Sequence, residues 1–518
     1  MTTLMLGGLA FLITLGVTPL IMRLARRLKI VDQPDGHRKL HVSAMPLGGG
    51  TAIWIGFLLT LFAGGVYGYA SGIDLFPHSR FLAALILAAS TICIVGLTDD
   101  RFELRGRHKL LGQILAVSIL VAAGFVIENV NVLGWHIQLG LLALPFTYFW
   151  MLGAINALNL IDGMDGLAST VGIVLSAAMA IMAALSGHAS ESLLAVIMLG
   201  CLAGFLPFNF PPARIYLGDA GSMLIGLILG ALAIRGSLKG PATVALAAPM
   251  AIWAILIFDV GMAVLRRKLT GQSLYTSDRG HLHHCLLRKG YGNKKALAWI
   301  GGLCALTAGG ALVGVYQKSE LLGLGCVGVV LGTLIVTRFF GHAECHLLYR
   351  RVAGLFHSML PALRPAVQRG GEFRARLDGT REWEELWQSL IEFADRFDMV
   401  AVKLNVSLPA LREEYHAHWT RKGTANVRRL WSAEVPLVAQ NMTVGRLQIS
   451  GSCPEDGVCD WMGELISGLK PVEARVSEIL DDECADARTP FEPANPLEPP
   501  VFATATSSGR QILQGSEL

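Results

Sequence analysis

Long apolar stretches alternate with short polar clusters along the chain as far as about residue 340. Most of the apolar stretches are roughly 17–25 residues long, enough for a helix to cross the hydrocarbon core of a bilayer. The pattern predicts about eleven transmembrane helices, over residues 4–22, 48–69, 81–97, 109–127, 139–156, 168–186, 192–208, 220–235, 243–264, 296–316 and 320–340. The expected fold class is therefore an all-α polytopic membrane protein.

The character of the chain changes after residue 340, where charged residues, Trp and Pro become frequent. Residues 343–380 interleave apolar residues such as Leu355 with Arg350 and Arg351, which is typical of a basic amphipathic linker on an anionic membrane surface. An ordinary linker helix is the alternative.

A small cytoplasmic α/β domain is predicted over residues 381–482, followed by a disordered Pro-rich tail over 483–518. One helical face is apolar and contains Trp383, Leu386, Trp387, Leu390, Ile391, Ala394 and Phe397. Strand-like runs follow at 400–406, 429–437 and 442–450, and a helical stretch over 460–482 is interrupted by Pro471. No catalytic pattern is visible in this region.

Composition agrees with a membrane protein. Of 518 residues, 53% are hydrophobic and only 16% are charged, and the mean hydropathy is +0.51, values that exclude an ordinary soluble or disordered chain. The net charge of +4 is small, and inner-membrane lipids rather than nucleic acid are the expected partners. The nine cysteines form no CxxC pair, so we expect reduced, structural cysteines.

The distribution of charge predicts the orientation of the helices. Basic residues follow the first, third and ninth apolar segments, and the positive-inside rule then places the N-terminus outside and the C-terminus inside the cytoplasmic membrane. The first segment lacks a basic n-region and a clear cleavage site, so we interpret it as a retained helix.

Five polar clusters would then lie on the cytoplasmic face: His41–Gly50, Asp99-Asp100, Asn156–Gly166, Gly218–Ser222 and Gly280–His284. Carboxylates, amides and imidazoles are costly near hydrocarbon, so several of them at one interface indicate a functional site. Each cluster also has a simpler interpretation.

Asp99 and Asp100 end the third apolar segment, where paired carboxylates bind a divalent cation, accept a proton or merely mark a helix end. In a helix, Asn156, Asn159 and Asp162 would share a face, and Asp165 continues the series. An EF-hand is excluded because the residues that follow are apolar and offer no distal Glu.

Asp219 precedes the eighth apolar segment. It is predicted either as a helix N-cap or as a metal-binding carboxylate, with Ser222 and the helix N-terminus receiving phosphate. His281, His283 and His284 follow the ninth segment. Their spacing matches no closed zinc site, and a cationic loop that grips phosphate is preferred over incidental surface histidines.

Together these motifs resemble the polyprenyl-phosphate N-acetylhexosamine-1-phosphate transferase superfamily, over about residues 1–340. The matching strings are Asp35–His41 with Pro46–Gly50, Gly96–Asp100, Asn156–Gly166, Gly218–Ser222 and Asp278–His284. The His-Leu-His-His form is similar to the WecA/TagO-like branch, although Cys285 stands where that branch often carries Arg.

The resemblance implies transfer of N-acetylhexosamine 1-phosphate, with GlcNAc favoured, from a UDP-sugar to undecaprenyl phosphate. The products would be UMP and a lipid diphosphate sugar that initiates a cell-envelope polysaccharide. It implies Mg²⁺, with Mn²⁺ as a second candidate, on Asn159 and Asp219. Catalytic roles fall to Asp99, Asp100, Asp162 and Asp165, and substrate binding to His41, Asn156, Arg279, His281, His283 and His284.

The mechanism and the oligomeric state stay open at this point. One-step transfer and a covalent phosphoryl-enzyme route are both compatible with the residues, and a homodimer is one expected assembly. A transporter or channel would place acidic residues near the middle of its spans and often repeat one half of its sequence. A receptor that works through the C-terminal module would leave the five clusters unexplained.

Overall fold

The computed structural model describes residues 1–32, 45–240, 243–270, 280–342, 344–345, 348–349, 371–377, 381–397, 399–408, 413–421, 430–439 and 442–452. The chain divides into two compact units, Met1–Val367 and Gln368–Leu518. The first unit is helical and the second contains a sheet, and each is described below by itself.

The helices of the first unit follow the apolar segments of the sequence. They are α1 (Thr2–Arg27), α2 (Gly49–Ser71), α3 (Ser79–Phe102), α4 (Gly106–Ala122), α5 (Ala143–Ile161), α6 (Leu167–Leu185), α7 (Ala189–Asn209), α8 (Gly218–Arg235), α9 (Ala247–Ile252), α10 (Ala254–Thr270), α11 (Leu282–Arg288), α12 (Asn293–Tyr316) and α13 (Glu320–Val336). All eleven predicted segments are helical, and the ninth is divided at Trp253 into α9 and α10.

Among the described residues, eight helices are long and apolar enough to cross a membrane, which confirms a polytopic membrane protein. Three of the predicted spans fall short of that length: α4 and α13 have 17 residues each, and the divided ninth segment gives helices of 6 and 17 residues. Large apolar side chains such as Leu4, Phe62, Leu87 and Phe149 are exposed on the outer helix surfaces, as expected where helices meet lipid rather than water. The orientation across the membrane stays a prediction.

Helix α8 lies at the centre of the first unit and packs against α2, α3 and α5. Its residues from Ala220 to Ile234 are all buried, which agrees with a helix that is apolar on every side. Two glycines bring its N-terminus close to the neighbouring helices: Gly96 of α3 lies on Ala220, and Gly50 of α2 lies on Gly221. Neither contact leaves space for a side chain, so these two positions determine where α8 begins.

Short strands connect the helices on both sides of the unit. Strand β1 (Val31–Asp32) pairs antiparallel with β2 (Met45–Pro46), next to the start of α2. On the other side, β3 (Asn129–Val132), β4 (Trp135–Gln138), β5 (Leu238–Gly240) and β6 (Thr243–Ala245) form a sheet in the order β4-β3-β6-β5. Its β3–β6 pair is parallel, which ties the loop after α4 to the loop after α8.

The second unit is a five-stranded antiparallel sheet with one described helix, α14 (Arg381–Arg396). The strands are β7 (Gly371–Leu377), β8 (Met399–Leu408), β9 (Glu413–Thr420), β10 (Leu430–Ala439) and β11 (Met442–Ser452), in the order β10-β11-β8-β9-β7. Leu386, Trp387, Leu390 and Ala394 of α14 are buried with alternate residues of the strands, as the apolar helix face predicts.

The predicted strands at 400–406, 429–437 and 442–450 correspond to β8, β10 and β11. Strands β7 and β9 were not expected, and β7 lies inside the predicted linker of 343–380 and pairs with β9. The predicted helical stretch over 460–482 and the tail over 483–518 lie outside the described residues.

Candidate active site

A cluster of carboxylates surrounds one ammonium group where α3, α4 and α8 meet. Asp99 lies in the last turn of α3 and Asp219 in the first turn of α8. The Lys109 Nζ of α4 is 3.0 Å from Asp99 Oδ2 and also pairs with Asp219 Oδ2. Two acids that are far apart in sequence are thus held by a single cation, which offsets part of their mutual repulsion.

Asp100 faces the N-terminus of α8 rather than open solvent. Its Oδ1 accepts a hydrogen bond from the Asp219 backbone N–H at 2.8 Å, and its Oδ2 accepts one from Ala220 N–H at 3.3 Å. The first N–H groups of a helix have no partner within the helix, and a carboxylate there also interacts favourably with the helix dipole. Asp100 therefore fixes the position of Asp219.

Asn159, at the end of α5, contacts Asp219 from the side opposite Lys109. Its Nδ2 donates to Asp219 Oδ1 at 2.6 Å and to Ser222 Oγ at 2.9 Å. The N-cap interpretation of Asp219 is wrong, because its side chain points to Lys109 and Asn159 while Asp100 bonds the helix N–H groups. The two predicted metal ligands lie together, and their metal role stays a prediction.

Asn156 lies one turn before Asn159 and is held by Gln113 of α4. Gln113 Nε2 donates to Asn156 Oδ1 at 3.2 Å, and Asn156 Nδ2 donates to Gln113 Oε1 at 2.8 Å. Asn156 Nδ2 also donates to Leu152 O at 2.8 Å. Both polar groups of the Asn156 amide thus have protein partners, so the residue predicted to bind substrate serves here to join α4 and α5.

Asp162 and Asp165 lie in the turn between α5 and α6 and differ in their surroundings. Asp165 Oδ2 accepts a hydrogen bond from Ala213 N–H at 3.0 Å, which holds the loop before α8 against this turn. Burial, together with the negative charges of Asp219, Asp100 and Asp165, raises the pKa of Asp162 well above its usual value. Asp165 therefore holds the loop before α8 in place. Asp162 lies near Asp100 and Asp219, and together with Asp99 these residues form what we call the acidic cluster.

Residues Gly280–His284, which we call the histidine loop, lie against the same turn. His283 packs directly on Gly163, where a side chain at residue 163 would meet the imidazole. His281 Nδ1 is 2.7 Å from Asp259 Oδ2, and Leu282 N–H donates to Asp259 Oδ1 at 2.7 Å. Asp259 is buried on α10, so it fixes both the ring of His281 and the start of α11.

His283 is almost fully buried, and within the described part of the chain neither of its ring nitrogens has a hydrogen-bond partner. Its ring stacks on His281 and lies tilted against His284, with centroid distances of 6.0 and 4.1 Å. Burial and the neighbouring histidines lower the pKa of His283 well below its ordinary value. The prediction of a cationic loop is therefore wrong for His283, which is a neutral group able to donate one hydrogen bond and accept another.

Two predicted substrate-binding residues, His41 and Arg279, lie outside the described residues. Of the other ten, five lie in or against the acidic cluster and three in the histidine loop, while Asn156 and Asp165 hold neighbouring elements together. The five are Asp99, Asp100, Asn159, Asp162 and Asp219, and the three are His281, His283 and His284. Beside Cys285, Arg288 Nη2 lies 3.0 Å from the thiol Sγ. A guanidinium is thus present one turn after the position where Arg was expected.

No sequence motif selects Lys109, Gln113 or Asp259, which complete the site. Lys109 counted only as one of several basic residues that flank a span. Gln113 and Asp259 are single polar residues inside apolar helices, and such residues are costly unless they are paired. The cost indicates that both residues need a polar partner, but it does not identify which residue that partner is.

Comparison with known proteins identifies similar chains. The model of "Glycosyl transferase family 4" matches residues 82–237. The "Probable undecaprenyl-phosphate N-acetylglucosaminyl 1-phosphate transferase" of Bacillus subtilis is 32% identical over 56% of this chain and 78% of its own length. A "Decaprenyl-phosphate N-acetylglucosaminephosphotransferase" of Mycobacterium leprae is 31% identical over 64% of this chain and 88% of its own length. An "Undecaprenyl-phosphate alpha-N-acetylglucosaminyl 1-phosphate transferase" of Salmonella typhi is 28% identical over 59% and 82%.

Proposed function

The chain belongs to glycosyl transferase family 4, the polyprenyl-phosphate N-acetylhexosamine-1-phosphate transferases, and we propose that it transfers GlcNAc 1-phosphate from UDP-GlcNAc to undecaprenyl phosphate. The observation that carries the proposal is the convergence of Asp99, Lys109, Asn159 and Asp219 at the N-terminus of α8. Relatives named for GlcNAc transfer support this sugar over other N-acetylhexosamines.

The proposed reaction exchanges one phosphoanhydride bond for another. An oxygen of the lipid phosphate attacks the β-phosphorus of the UDP-sugar, the bond from that phosphorus to the bridging oxygen breaks, and UMP leaves with the bridging oxygen. Asp99 accepts the proton of a monoanionic lipid phosphate, and Lys109 offsets the charge that gathers on the reacting oxygens. Asp100 keeps the α8 N-terminus and Asp219 in position.

The donor set at α8 fits Mg²⁺. Among the described residues, no three His, Cys, Asp or Glu side chains are placed to enclose a metal ion, but Mg²⁺ is usually bound by one or two carboxylates together with water and substrate phosphates. Asp219 already interacts with a cation, since Lys109 lies against its carboxylate. Asp219 and the amide oxygen of Asn159 would hold the ion, which when bound neutralises phosphate charge.

The histidine loop supplies the other half of the proposed site. The two ring nitrogens of His283 offer a hydrogen-bond donor and an acceptor to the diphosphate or the sugar. His281 is oriented by Asp259 for the same purpose, and Asp162 lies between the loop and the acidic cluster. We assign His284 and Arg279 to the same phosphate-binding role on the basis of the sequence.

We further propose that this site faces the cytoplasm at the inner membrane. The basic residues after the first, third and ninth apolar segments support this orientation. The nucleotide donor is then on the side where it is available, and the lipid phosphate reaches the site from the adjacent leaflet. The product would initiate a cell-envelope polysaccharide.

The test is an assay of the purified full-length protein in nanodiscs with undecaprenyl phosphate and a panel of UDP-sugars. We expect UMP release and a lipid diphosphate product with UDP-GlcNAc, and loss of both when EDTA removes divalent cations. Turnover that persists in EDTA would contradict the metal assignment. Failure of every UDP-N-acetylhexosamine to give a lipid product, with folded protein, would contradict the function.

A further inference from the structure

A buried ion pair joins the start of the histidine loop to the residues that follow α13. Arg266 of α10 donates from Nε and Nη2 to Glu344 Oε1, at 2.8 and 2.5 Å. The same Nη2 donates to Gly280 O at 2.9 Å. Arg266 and Glu344 are about 4% and 3% exposed, so the pair is shielded from water and holds the residue directly before His281.

Residues 338–342 with 344–345, which we call the strap, make further contacts with α10 and with the end of α11. Phe340 stacks edge-on against Phe258 of α10, with centroids 5.5 Å apart. Lys289 Nζ, just after α11, lies 4.1 Å from the ring centroid of Phe339 and 3.4 Å from Arg338 O. The strap is thus anchored on α10 and beside α11, and the Arg266–Glu344 pair is a further contact with α10.

Two residues of α10 hold the histidine loop at adjacent points. Asp259 binds the His281 ring and the Leu282 N–H, and Arg266 binds Gly280 O. Asp259 and Arg266 are seven residues apart, which places them two turns apart on one face of the helix. Arg266 is itself held by Glu344. The orientation of the loop therefore depends on a residue that lies beyond the last apolar helix.

We propose that Glu344 is a positioning residue: through Arg266 it fixes the backbone at Gly280 and so the histidines that bind the sugar-nucleotide diphosphate. The inference rests on the proposed function for the ligand, but the structural role of Glu344 does not depend on it. Loss of the Glu344 carboxylate removes the acceptor of two Arg266 hydrogen bonds, and a buried guanidinium that loses its anionic partner moves or draws in water. The hydrogen bond that holds the backbone at Gly280 is then weakened.

A second buried ion pair, at the C-terminal end of α8, provides a matched control. Arg235 donates from Nε and Nη2 to Glu191 Oε1 at 2.9 and 2.7 Å, and Glu191 is also buried. This pair repeats the geometry of the Arg266–Glu344 pair. It lies about 25 Å from Asp219, because α8 rises about 1.5 Å per residue over the 16 residues between Asp219 and Arg235.

The first measurement is hydrogen exchange of the full-length protein in nanodiscs, which needs no substrate. In Glu344→Ala we expect amides of residues 280–290 to exchange about threefold or more faster than in the wild type. Glu191→Ala should leave these amides unchanged and affect those near the start of α7. Unchanged exchange over 280–290 in folded Glu344→Ala, or an equal increase there in Glu191→Ala, would overturn the proposal.

The second measurement separates binding from chemistry. Glu344→Ala should raise the KM for the UDP-sugar about tenfold with less than about a twofold change in kcat, and Glu344→Gln, which keeps an acceptor oxygen, should recover most of the loss. A fall in kcat alone would contradict a role in positioning the diphosphate ligands. If the wild type turns over no UDP-sugar, the proposed function fails, and hydrogen exchange still decides the role of Glu344.

Discussion

At Asp219, one carboxylate has partners on both sides, Lys109 at one oxygen and Asn159 at the other. If Asp219 only capped α8, its carboxylate would accept hydrogen bonds from the first N–H groups of α8. Asp100 of α3 accepts those bonds instead. The charge of Asp219 is therefore directed into the site. This arrangement explains why an acid is placed where a hydrophobic helix begins.

Replacement of Asp219 by Asn tests this assignment. Asn keeps the shape of the side chain but removes its charge, so both the pairing with Lys109 and the affinity for a divalent cation weaken. We expect Asp219→Asn to lower kcat about 100-fold or more, with the unfolding temperature changed by only a few degrees. Near-normal turnover at ordinary Mg²⁺ would show that the carboxylate has no part in the reaction.

His283 makes stability depend on pH through its buried, neutral ring. Its pKa is lowered well below 6.5 by burial, so in this range the unfolded chain binds more protons than the folded protein. The stabilisation is complete above about pH 6.5 and is lost as the pH falls below that value. We expect His283→Gln to lose less in unfolding temperature than the wild type between roughly pH 7.5 and pH 5.5.

The control for His283→Gln is the same measurement on His78→Gln, which alters an exposed residue outside the histidine loop. That variant should follow the wild-type profile. Parallel profiles for the wild type and His283→Gln would mean that the ring gains its proton without cost and is not buried as neutral.

At the scale of residues, the sequence identified most polar groups of the site but not how they are paired. Asp99, Asn159 and Asp219 stood out because polar groups at the ends of apolar helices are costly. Lys109 was indistinguishable from a basic flanking residue, because its partners are 10 and 110 positions away in the chain. Pairing across helices depends on tertiary contacts that no local pattern contains.

Among the elements, α8 determines the geometry of the site, because its N-terminus carries Asp219 and donates two backbone hydrogen bonds to Asp100. Gly96 allows α3 to contact the first turn of α8 at Ala220. A methyl group at residue 96 would meet the backbone of α8 rather than the end of a flexible side chain. The two helices would then have to separate.

The prediction concerns Gly96→Ala, compared with Gly153→Ala on α5, where a methyl group meets nothing within 4 Å. Separation of α3 from α8 moves Asp99 and Lys109 away from Asp219, and displacements of about 1 Å can cost about 100-fold in rate. We expect a loss of that size in Gly96→Ala and almost none in Gly153→Ala. Equal activity of the two variants would contradict the role of this close contact.

The positions of the helices followed from the sequence because apolar length is a strong local signal. The division of the ninth segment at Trp253 was not visible, since apolar residues continue on both sides of it. Strand β9 was missed because its alternation is carried by Ala417 and Trp419 between polar residues, with few β-branched residues to mark a strand. Local composition therefore located the long apolar helices and missed a strand with few β-branched residues.

The molecule as a whole consists of a membrane unit and a second unit that has its own core. All described residues of the candidate site belong to the first unit. The strap, which reaches the histidine loop through Arg266, also belongs to the first unit. The second unit has a helix packed on an antiparallel sheet, which is enough apolar burial for a separate fold. The chemistry should therefore not require it.

Truncation tests this division at two points of the chain. A protein that ends after Tyr349 keeps Glu344 and the strap, and we expect it to retain at least about half of the wild-type kcat and its KM. A protein that ends after His342 lacks Glu344 and should show the raised KM of Glu344→Ala. UMP release in nanodiscs, normalised to folded protein, is the measurement. Loss of activity in both truncated proteins would mean that the second unit completes the site.

The central claim is that a sugar 1-phosphate, and not a sugar alone, passes to the lipid. UDP-GlcNAc labelled with ³²P at the β-phosphate distinguishes the two outcomes in one reaction of the full-length protein with undecaprenyl phosphate and Mg²⁺. We expect the label to enter the lipid fraction in step with UMP release, and Asp219→Asn to stop both. Label retained in water-soluble UDP while the sugar enters the lipid, or no labelled lipid from active, folded protein, would contradict it.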